Sequence, residues 1–190
     1  MRKLTLLLCL LASAAVMAQD QPKDQAAAQP NPFSAFNKFA YSRMQETLLR
    51  SAEKMPEENY NFKPADAVRT FGQLVGHVAD AQYYFCSTAT GEKNPGLNIE
   101  KSKTSKADLV AALKESIAFC NKAYDGMTDA RGAETVKLFG NLDAPRLGVL
   151  EVNLVHDNEH YGNMVTYMRL KNIVPPTSEQ QAQPPAAPKK

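Results

Sequence analysis

The sequence has almost no excess of charge of either sign. It holds 22 lysines and arginines against 20 aspartates and glutamates in 190 residues. Loss of the first eighteen residues would remove two of the bases and no acid. A chain without a basic stripe lacks the electrostatic footprint of a nucleic-acid-binding protein. We therefore expect no nucleic-acid partner.

The sequence also lacks an apolar run long enough to span a membrane. Its most hydrophobic stretch, residues 4–11, follows Arg2 and Lys3 and leads into small residues that end at Ala18. This order is typical of a secretory signal peptide cleaved before Gln19. We predict a signal peptide over residues 1–18, a periplasmic or secreted protein, and no stable membrane anchor after cleavage. The alternative is an uncleaved N-terminal anchor.

Cysteine is scarce, and one of the three cysteines lies in the predicted signal peptide. The other two, Cys86 and Cys120, have two possible states. In an oxidising compartment they can form a disulfide if their Cα atoms come within about 4.4–6.8 Å. As buried free thiols they would pack as small apolar side chains. The sequence leaves both alternatives open.

There is no internal repeat and no strand-rich region. Residues 19–31 and 175–190 are rich in glutamine, alanine and proline without apolar periodicity, which predicts a disordered linker and a disordered tail. Between them, residues 32–174 carry four helical patterns, which predicts one all-α four-helix bundle domain. Thr70 with Gln73, Ser105 or Thr104, and Asp143 are the predicted N-caps of the second, third and fourth helices.

Two faces matter for the bundle. The first helix carries an apolar stripe that predicts its buried side: Phe33, Phe36, Ala40, Met44, Thr47, Leu48, Ala52 and Met55. The fourth helix instead carries mostly polar residues within one narrow sector: Val149, Asn153, His156, His160, Asn163 and Tyr167. Polar side chains at core-like spacing need partners if they are buried.

The chain contains only three histidines. His156 and His160 are four residues apart, so on a helix they share a face about 6 Å apart along the axis. His77 lies in the second helix beside Gly76, which would allow close approach of another helix. If His77 faces the pair, three imidazoles form a metal site with an open position for water. The alternative is that the histidines face solvent or make ordinary hydrogen bonds.

Other polar residues near the histidines are candidates for chemistry. Asn163 and Tyr167 are candidates to orient a substrate, and Asn153 to support a ligand or the substrate. Glu159 is a weak candidate for a general base. The alternative for Glu159 and its neighbour Asp157 is a solvated helix edge. A closed site would need a fourth protein ligand, for which the nearest candidate is Asp80.

Residues 70–80 in the second helix and 156–171 in the fourth, followed by a proline pair, resemble the DinB-like superfamily. The resemblance implies an up-down-down-up four-helix bundle. It also implies a divalent metal, commonly zinc or nickel, held by His77, His156 and His160, and frequent homodimers. Characterised relatives include thiol-dependent transferases and isomerases. The signal peptide, the two tails and the sequence Tyr161-Gly162-Asn163, where many relatives have a basic residue, glycine and glutamine, depart from the family pattern.

These observations predict an exported, metal-dependent hydrolase or transferase of unknown substrate. A deep pocket with an exchangeable water ligand on the metal would favour this enzyme. The alternative is a non-enzymatic bundle that binds a metal or a small molecule in the cell envelope, which a closed site would favour. A degenerate bundle without metal is the third possibility.

Overall fold

A computed structural model of the protein describes residues 30–181, without the side chains of residues 180 and 181. The predicted signal peptide, nearly all of the predicted linker and the end of the predicted tail lie outside this range. No helix between residues 30 and 181 is both long enough and apolar enough to cross a membrane.

Four long helices form the bundle, and contacts between their ends fix its directions. The helices are α1 (Pro32–Lys54), α2 (Phe71–Thr90), α4 (Lys106–Asp125) and α6 (Arg146–Leu170). Near its start α1 bonds Glu151, early in α6, and near its end it bonds Val174, beyond α6, so the two helices run parallel. Early α6 bonds the end of α2 through Ala89, so α2 runs antiparallel to α6.

The second and third long helices run in the same direction. The start of α2 lies against Leu109 near the start of α4, and the Cys86–Cys120 disulfide joins their later halves. With 5.3 Å between its Cα atoms, this pair is the bonded one of the two predicted alternatives. The chain is therefore an up-down-down-up four-helix bundle, as predicted.

Short elements fill the connections. They are one turn of 3-10 helix (Glu57–Asn59), α3 (Ile99–Ser102), α5 (Asp129–Gly132), β1 (Thr135–Leu138), β2 (Leu142–Pro145) and α7 (Pro176–Gln181). The two strands form an antiparallel hairpin with Val136 opposite Ala144.

The predicted helix starts are right at two helices and wrong at one. Thr70 and Gln73 form the expected capping box, and the Ser105 side chain caps α4. Asp143 does not cap α6, because it lies within β2, opposite Lys137, and pairs with that lysine at 2.8 Å. Because β2 includes Asp143 and ends at Pro145, α6 begins only after Pro145.

The predicted apolar stripe of α1 is wrong at its N-terminal end. Phe33 and Phe36 are 72% and 70% exposed. The buried face there carries polar residues instead: the Ser34 amide donates to Asp129, and the Tyr41 hydroxyl donates to Gln82 at 2.9 Å. Further along, Leu48, Ala52 and Met55 are buried as expected.

The ordered chain also continues past the predicted end of the domain. Residues 176–181 form α7, although residues 175–190 were predicted to be disordered. Glu179 pairs with Arg50 and Lys54 of α1, and the Tyr161 hydroxyl bonds Thr177. These polar contacts hold a segment whose composition carries no apolar signal.

Candidate metal centre

The three histidines of the chain meet between α2 and α6. The Nε2 atom of His156 lies 3.2 Å from Nε2 of His77 and 3.1 Å from Nε2 of His160. Possible ligand atoms of all three lie within 4.8 Å of one another. The predicted grouping of one histidine from the second long helix with two from the fourth is confirmed.

The geometry fits a bound metal ion. Zinc-to-nitrogen distances of about 2.0–2.1 Å place the nitrogens of adjacent ligands roughly 2.8–3.4 Å apart, from octahedral to tetrahedral coordination. The two observed Nε2 separations fall in this range. Imidazole nitrogen is a suitable donor for zinc, nickel, copper and iron. The three side chains can therefore hold a divalent ion.

A carboxylate orients the first ligand. Glu100 Oε2 lies 3.1 Å from His77 Nδ1, which makes Nδ1 the protonated nitrogen and leaves the Nε2 lone pair facing the other histidines. Metal-ligating histidines usually donate their second ring N–H to a carboxylate, a carbonyl or water. Glu100 therefore has the position of the carboxylate that accepts the second ring N–H of a metal-ligating histidine.

The position of Glu100 depends on a close contact between α2 and α3. Both oxygens of Asp80 accept backbone N–H bonds at 2.9 Å, from Ile99 and from Glu100, at the start of α3. A Cβ on Gly76 would lie 2.7 Å from the Glu100 Cα. The predicted close approach at Gly76 is thus made by the short helix α3.

This arrangement argues against Asp80 as a fourth ligand. Its two oxygens are committed to the backbone of α3, and the ligand group found among residues 30–181 contains histidines only. The structure assigns Asp80 to holding α3, which in turn places Glu100.

The remaining ring nitrogens have different surroundings. The Asn163 side-chain amide lies 3.3 Å from His160 Nδ1, and its O/N orientation is set by the proton on that nitrogen. His156 Nδ1 is buried without a hydrogen-bond partner in the described residues. Burial, followed by the neighbouring His160 and His77, lowers the pKa of His156 to about 3. Burial also lowers the pKa of His160. Both rings are therefore neutral near pH 7, the form that binds metal.

The cluster opens onto a cleft of about 670 Å³. Its walls come from α2, α3, α6 and the loop before α2: Pro64, Ala67, Val68, Arg69, Gln73, Leu74, Glu100, Glu159, His160, Asn163, Thr166 and Tyr167. A ligand in this cleft would touch His160 directly. The cleft gives the centre an open side.

The three predicted catalytic residues all line this cleft, in different ways. Glu159 and Asn163 are exposed. Tyr167 is buried, and its hydroxyl donates to the backbone carbonyl of Arg69 at 2.6 Å. Tyr167 therefore anchors the loop before α2 and does not offer its hydroxyl hydrogen to a ligand.

Sequence reasoning missed Glu100 and Arg69. Arg69 Nε donates to Glu100 Oε1 at 2.9 Å, so one carboxylate joins Arg69 to His77. Both residues come from polar segments without periodicity. Gly76 was the one available signal, since it indicated that something packs closely beside His77.

Asp157, for which the alternative was a solvated helix edge, is fully buried. It belongs to a group that we call the buried polar layer, to which all four long helices contribute: Tyr41, Gln82, Tyr124, Asn153 and Asp157. Asn153 donates to the Tyr124 hydroxyl at 3.2 Å, so it lies in this layer and not beside the histidines. Burial raises the pKa of Asp157 well above its usual value.

The fold agrees with that of a known family. The sequence profile of the DinB superfamily matches residues 40–164. The chain belongs to the DinB superfamily. It is similar to the uncharacterised protein YjoA of Bacillus subtilis, with 23% identity over 121 residues that span 62% of this chain and 77% of YjoA.

Solved structures show the same fold. A DinB-like protein from Bacillus cereus aligns with a TM-score of 0.66 at 19% identity, over 74% of this chain and 93% of that protein. The YjoA structure aligns at 0.59 and 19% identity, over 72% and 92% of the two chains. A mycothiol-dependent maleylpyruvate isomerase aligns at 0.59 and 14% identity, over 69% of this chain and 60% of that one.

Proposed function

We propose that this protein is a metal-dependent hydrolase or transferase whose zinc or nickel ion is held by His77, His156 and His160. Two Nε2–Nε2 separations in the ligand range, with possible ligand atoms of all three histidines within 4.8 Å of one another and an open cleft beside His160, carry the proposal. A metal ion bound there would lower the pKa of a bound water or thiol toward neutrality.

The open cleft favours an enzyme over the non-enzymatic binding bundle. A closed structural site has four protein ligands, whereas catalytic sites keep three and leave a position for water or substrate. Here the nearest candidate for a fourth ligand, Asp80, is committed to α3. The cleft reaches His160, so a substrate has access to the ligand face.

Three residues of the cleft have different proposed roles. The Glu159 carboxylate lines the cleft and is exposed, so it is the candidate to take the proton of the attacking group. Asn163 touches the His160 ring and faces the same cleft, so it is placed to orient a substrate. Tyr167 acts as a positioning residue, through the backbone of Arg69.

Export from the cytoplasm is part of the proposal. The Cys86–Cys120 disulfide supports it, because disulfides form and persist in oxidising compartments. Low-molecular-weight thiols are scarce there, which favours hydrolysis or transfer without a thiol co-substrate. Intact mass of the protein recovered from the periplasm or the medium tests the predicted cleavage before Gln19. Finding the protein only in the cytoplasm, with the mass of the full chain starting at Met1, would contradict export.

A homodimer is also proposed. Phe33, Phe36 and Phe39 are large exposed apolar side chains on one stretch of α1. Exposed apolar patches on soluble proteins often mark interaction sites. Analytical ultracentrifugation of the parent and of a Phe33→Ser/Phe36→Ser variant tests this, with a dimer expected only for the parent.

The metal is tested first. Untagged protein is analysed for bound metals by mass spectrometry, beside a His156→Ala/His160→Ala variant whose helical content is checked by circular dichroism. About one zinc, nickel or similar ion per chain is expected in the parent and almost none in the variant. A folded parent that takes up no divalent ion from a panel would overturn the proposal.

A further inference from the structure

Arg69 has donors that no residue between 30 and 181 uses. Its Nε donates to Glu100, while neither terminal guanidinium nitrogen has a hydrogen-bond partner among the described residues. The side chain is 41% exposed and lines the cleft that also reaches His160. The two free nitrogens are the part of the guanidinium fork that binds carboxylates and phosphates bidentately.

Arg69 is held at both ends, its guanidinium by Glu100 and its backbone by Tyr167. Glu100 bonds Arg69 through Oε1 and His77 through Oε2, so the arginine is tied to the same carboxylate as a histidine of the centre. The Tyr167 hydroxyl fixes the backbone carbonyl of Arg69 at 2.6 Å. A donor fixed in this way loses less conformational entropy when it binds a ligand.

The charges of the cleft favour an anion. Glu100 is occupied by Arg69 and His77, so its negative charge is shared within the wall. Glu159 is the other acid of the cleft and lies exposed at its side. A divalent ion at the histidines together with Arg69 would outweigh these two carboxylates. Gln73, Asn163 and Thr166 add uncharged hydrogen-bonding groups to the walls.

We propose that Arg69 binds a carboxylate or phosphate group of the substrate, so that the substrate is a small anionic molecule that spans from Arg69 to the histidine centre. The assignment of the reactive end to the centre rests on the proposed function. The anion-binding step itself depends on Arg69 and not on a metal.

The test follows binding of two simple anions, inorganic phosphate and acetate, by nuclear magnetic resonance of the Arg69 Nε–H group and by calorimetry. The parent, Arg69→Gln, Arg69→Lys and Glu159→Gln are compared with and without added zinc. We expect at least one anion to bind the parent and shift the Nε–H resonance. Arg69→Gln should weaken binding at least about tenfold, because it removes the charged donor of a charge-assisted pair. Arg69→Lys should retain part of the affinity.

Glu159→Gln is the matched control, because it changes a charged side chain of the same cleft without removing a donor; it should bind the anion at least as well as the parent. Metal content of each variant and thermal unfolding separate loss of the anion site from loss of the centre or the fold.

Binding to Arg69→Gln that equals binding to the parent, or no binding of either anion to the parent, would overturn the assignment. Binding that survives in metal-free parent but fails in Arg69→Gln would support Arg69 even if the centre holds no metal. Whichever anion binds more tightly identifies a carboxylate or a phosphate as the recognised group.

Discussion

Helix α6 contributes to two polar groups that differ in almost every physical respect. In the histidine cluster, Nε2 of His156 lies 3.1–3.2 Å from Nε2 of the other two histidines, and His160 lines an open cleft. The buried polar layer includes Asp157, the residue after His156, and it is closed to solvent. Gln82, Asn153 and Asp157 are each 0% exposed. Both Asp157 oxygens lack a hydrogen-bond partner among the described residues.

The difference shows what makes a polar group in a bundle a candidate site. Both groups place polar side chains at core positions. Only the histidine cluster combines converging lone pairs, an outer carboxylate at His77 and access for a ligand. The polar layer has donors and acceptors from four helices but no opening. A polar cluster is therefore a candidate reactive site when its lone pairs face one another and a ligand can reach them. Polar side chains alone do not make one.

The largest expected difference between the groups is in metal affinity. His156→Ala removes one of the three proposed metal ligands. Loss of a hydrogen-bond partner behind a ligand already weakens metal binding by about 10–100-fold, so loss of the ligand itself should weaken zinc binding by roughly a hundredfold or more. Asp157→Asn, the neighbouring residue on the same helix, should leave zinc affinity close to that of the parent. Competition with a chromophoric chelator measures both. Equal losses in the two variants would remove the distinction between the groups.

The next effect is that of the outer carboxylate. Glu100→Gln replaces the acceptor at His77 Nδ1 with a neutral amide, so zinc affinity should fall by about 10–100-fold. Glu159→Gln is the matched control, since Glu159 lines the same cleft without a bond to a histidine. The same chelator competition applies. An affinity for Glu100→Gln that matches Glu159→Gln would show that Glu100 does not support the ligand.

A smaller effect concerns the contact that places Glu100. Gly76→Ala puts a Cβ 2.7 Å from the Glu100 backbone and should destabilise the fold by about 1–3 kcal/mol. Gly162→Ala, also in a long helix, meets nothing within 4 Å and should stabilise by up to about 1 kcal/mol. Urea unfolding measures both. A neutral Gly76→Ala would mean that α3 can move away from α2 without cost.

The smallest effect lies in the buried polar layer. Because burial raises the pKa of Asp157, the folded protein keeps a proton there to higher pH than the unfolded chain does. Stability from this group is therefore present in acid and is lost as pH rises through the folded pKa. Asp157→Asn avoids that loss and should stabilise metal-free protein at pH 7 by about 1 kcal/mol.

The pH dependence of that difference separates Asp157 from the histidines. The gain from Asp157→Asn should shrink toward pH 4, where the unfolded aspartate also takes up a proton. His156, with its pKa lowered to about 3, destabilises both proteins as pH falls below the ordinary histidine range, so its effect cancels in the comparison. Urea unfolding at pH 7 and pH 4 gives the two values. A gain that is equal at both pH values would contradict a buried, protonated Asp157.

Much of the fold and the grouping of the three histidines could be predicted from the sequence. The caps at Thr70 and Ser105 are local signals, and the structure follows them. The four-residue spacing of His156 and His160 requires a shared face on any helix. His77 was the only remaining histidine, so a three-histidine centre had one possible composition.

The rest depends on tertiary contacts that periodicity does not contain. Glu100 reaches His77 because α3 packs on Gly76, and nothing in residues 92–103 signals that contact. Asp157 is buried because three other helices surround its side of α6. Phe33 and Phe36 fit an apolar stripe, yet the structure buries Ser34 and Asn37 in their place, since these make the bonds to α5 and α6.

Crystals of the protein grown with zinc or nickel would test the centre most directly, through anomalous diffraction on both sides of the absorption edge of the metal. We expect one strong peak at about 2.0–2.2 Å from the Nε2 atoms of His77, His156 and His160. We also expect the open coordination position to face the cleft beside Arg69. A peak that touches fewer than two of these nitrogens, or no peak between α2 and α6, would contradict it.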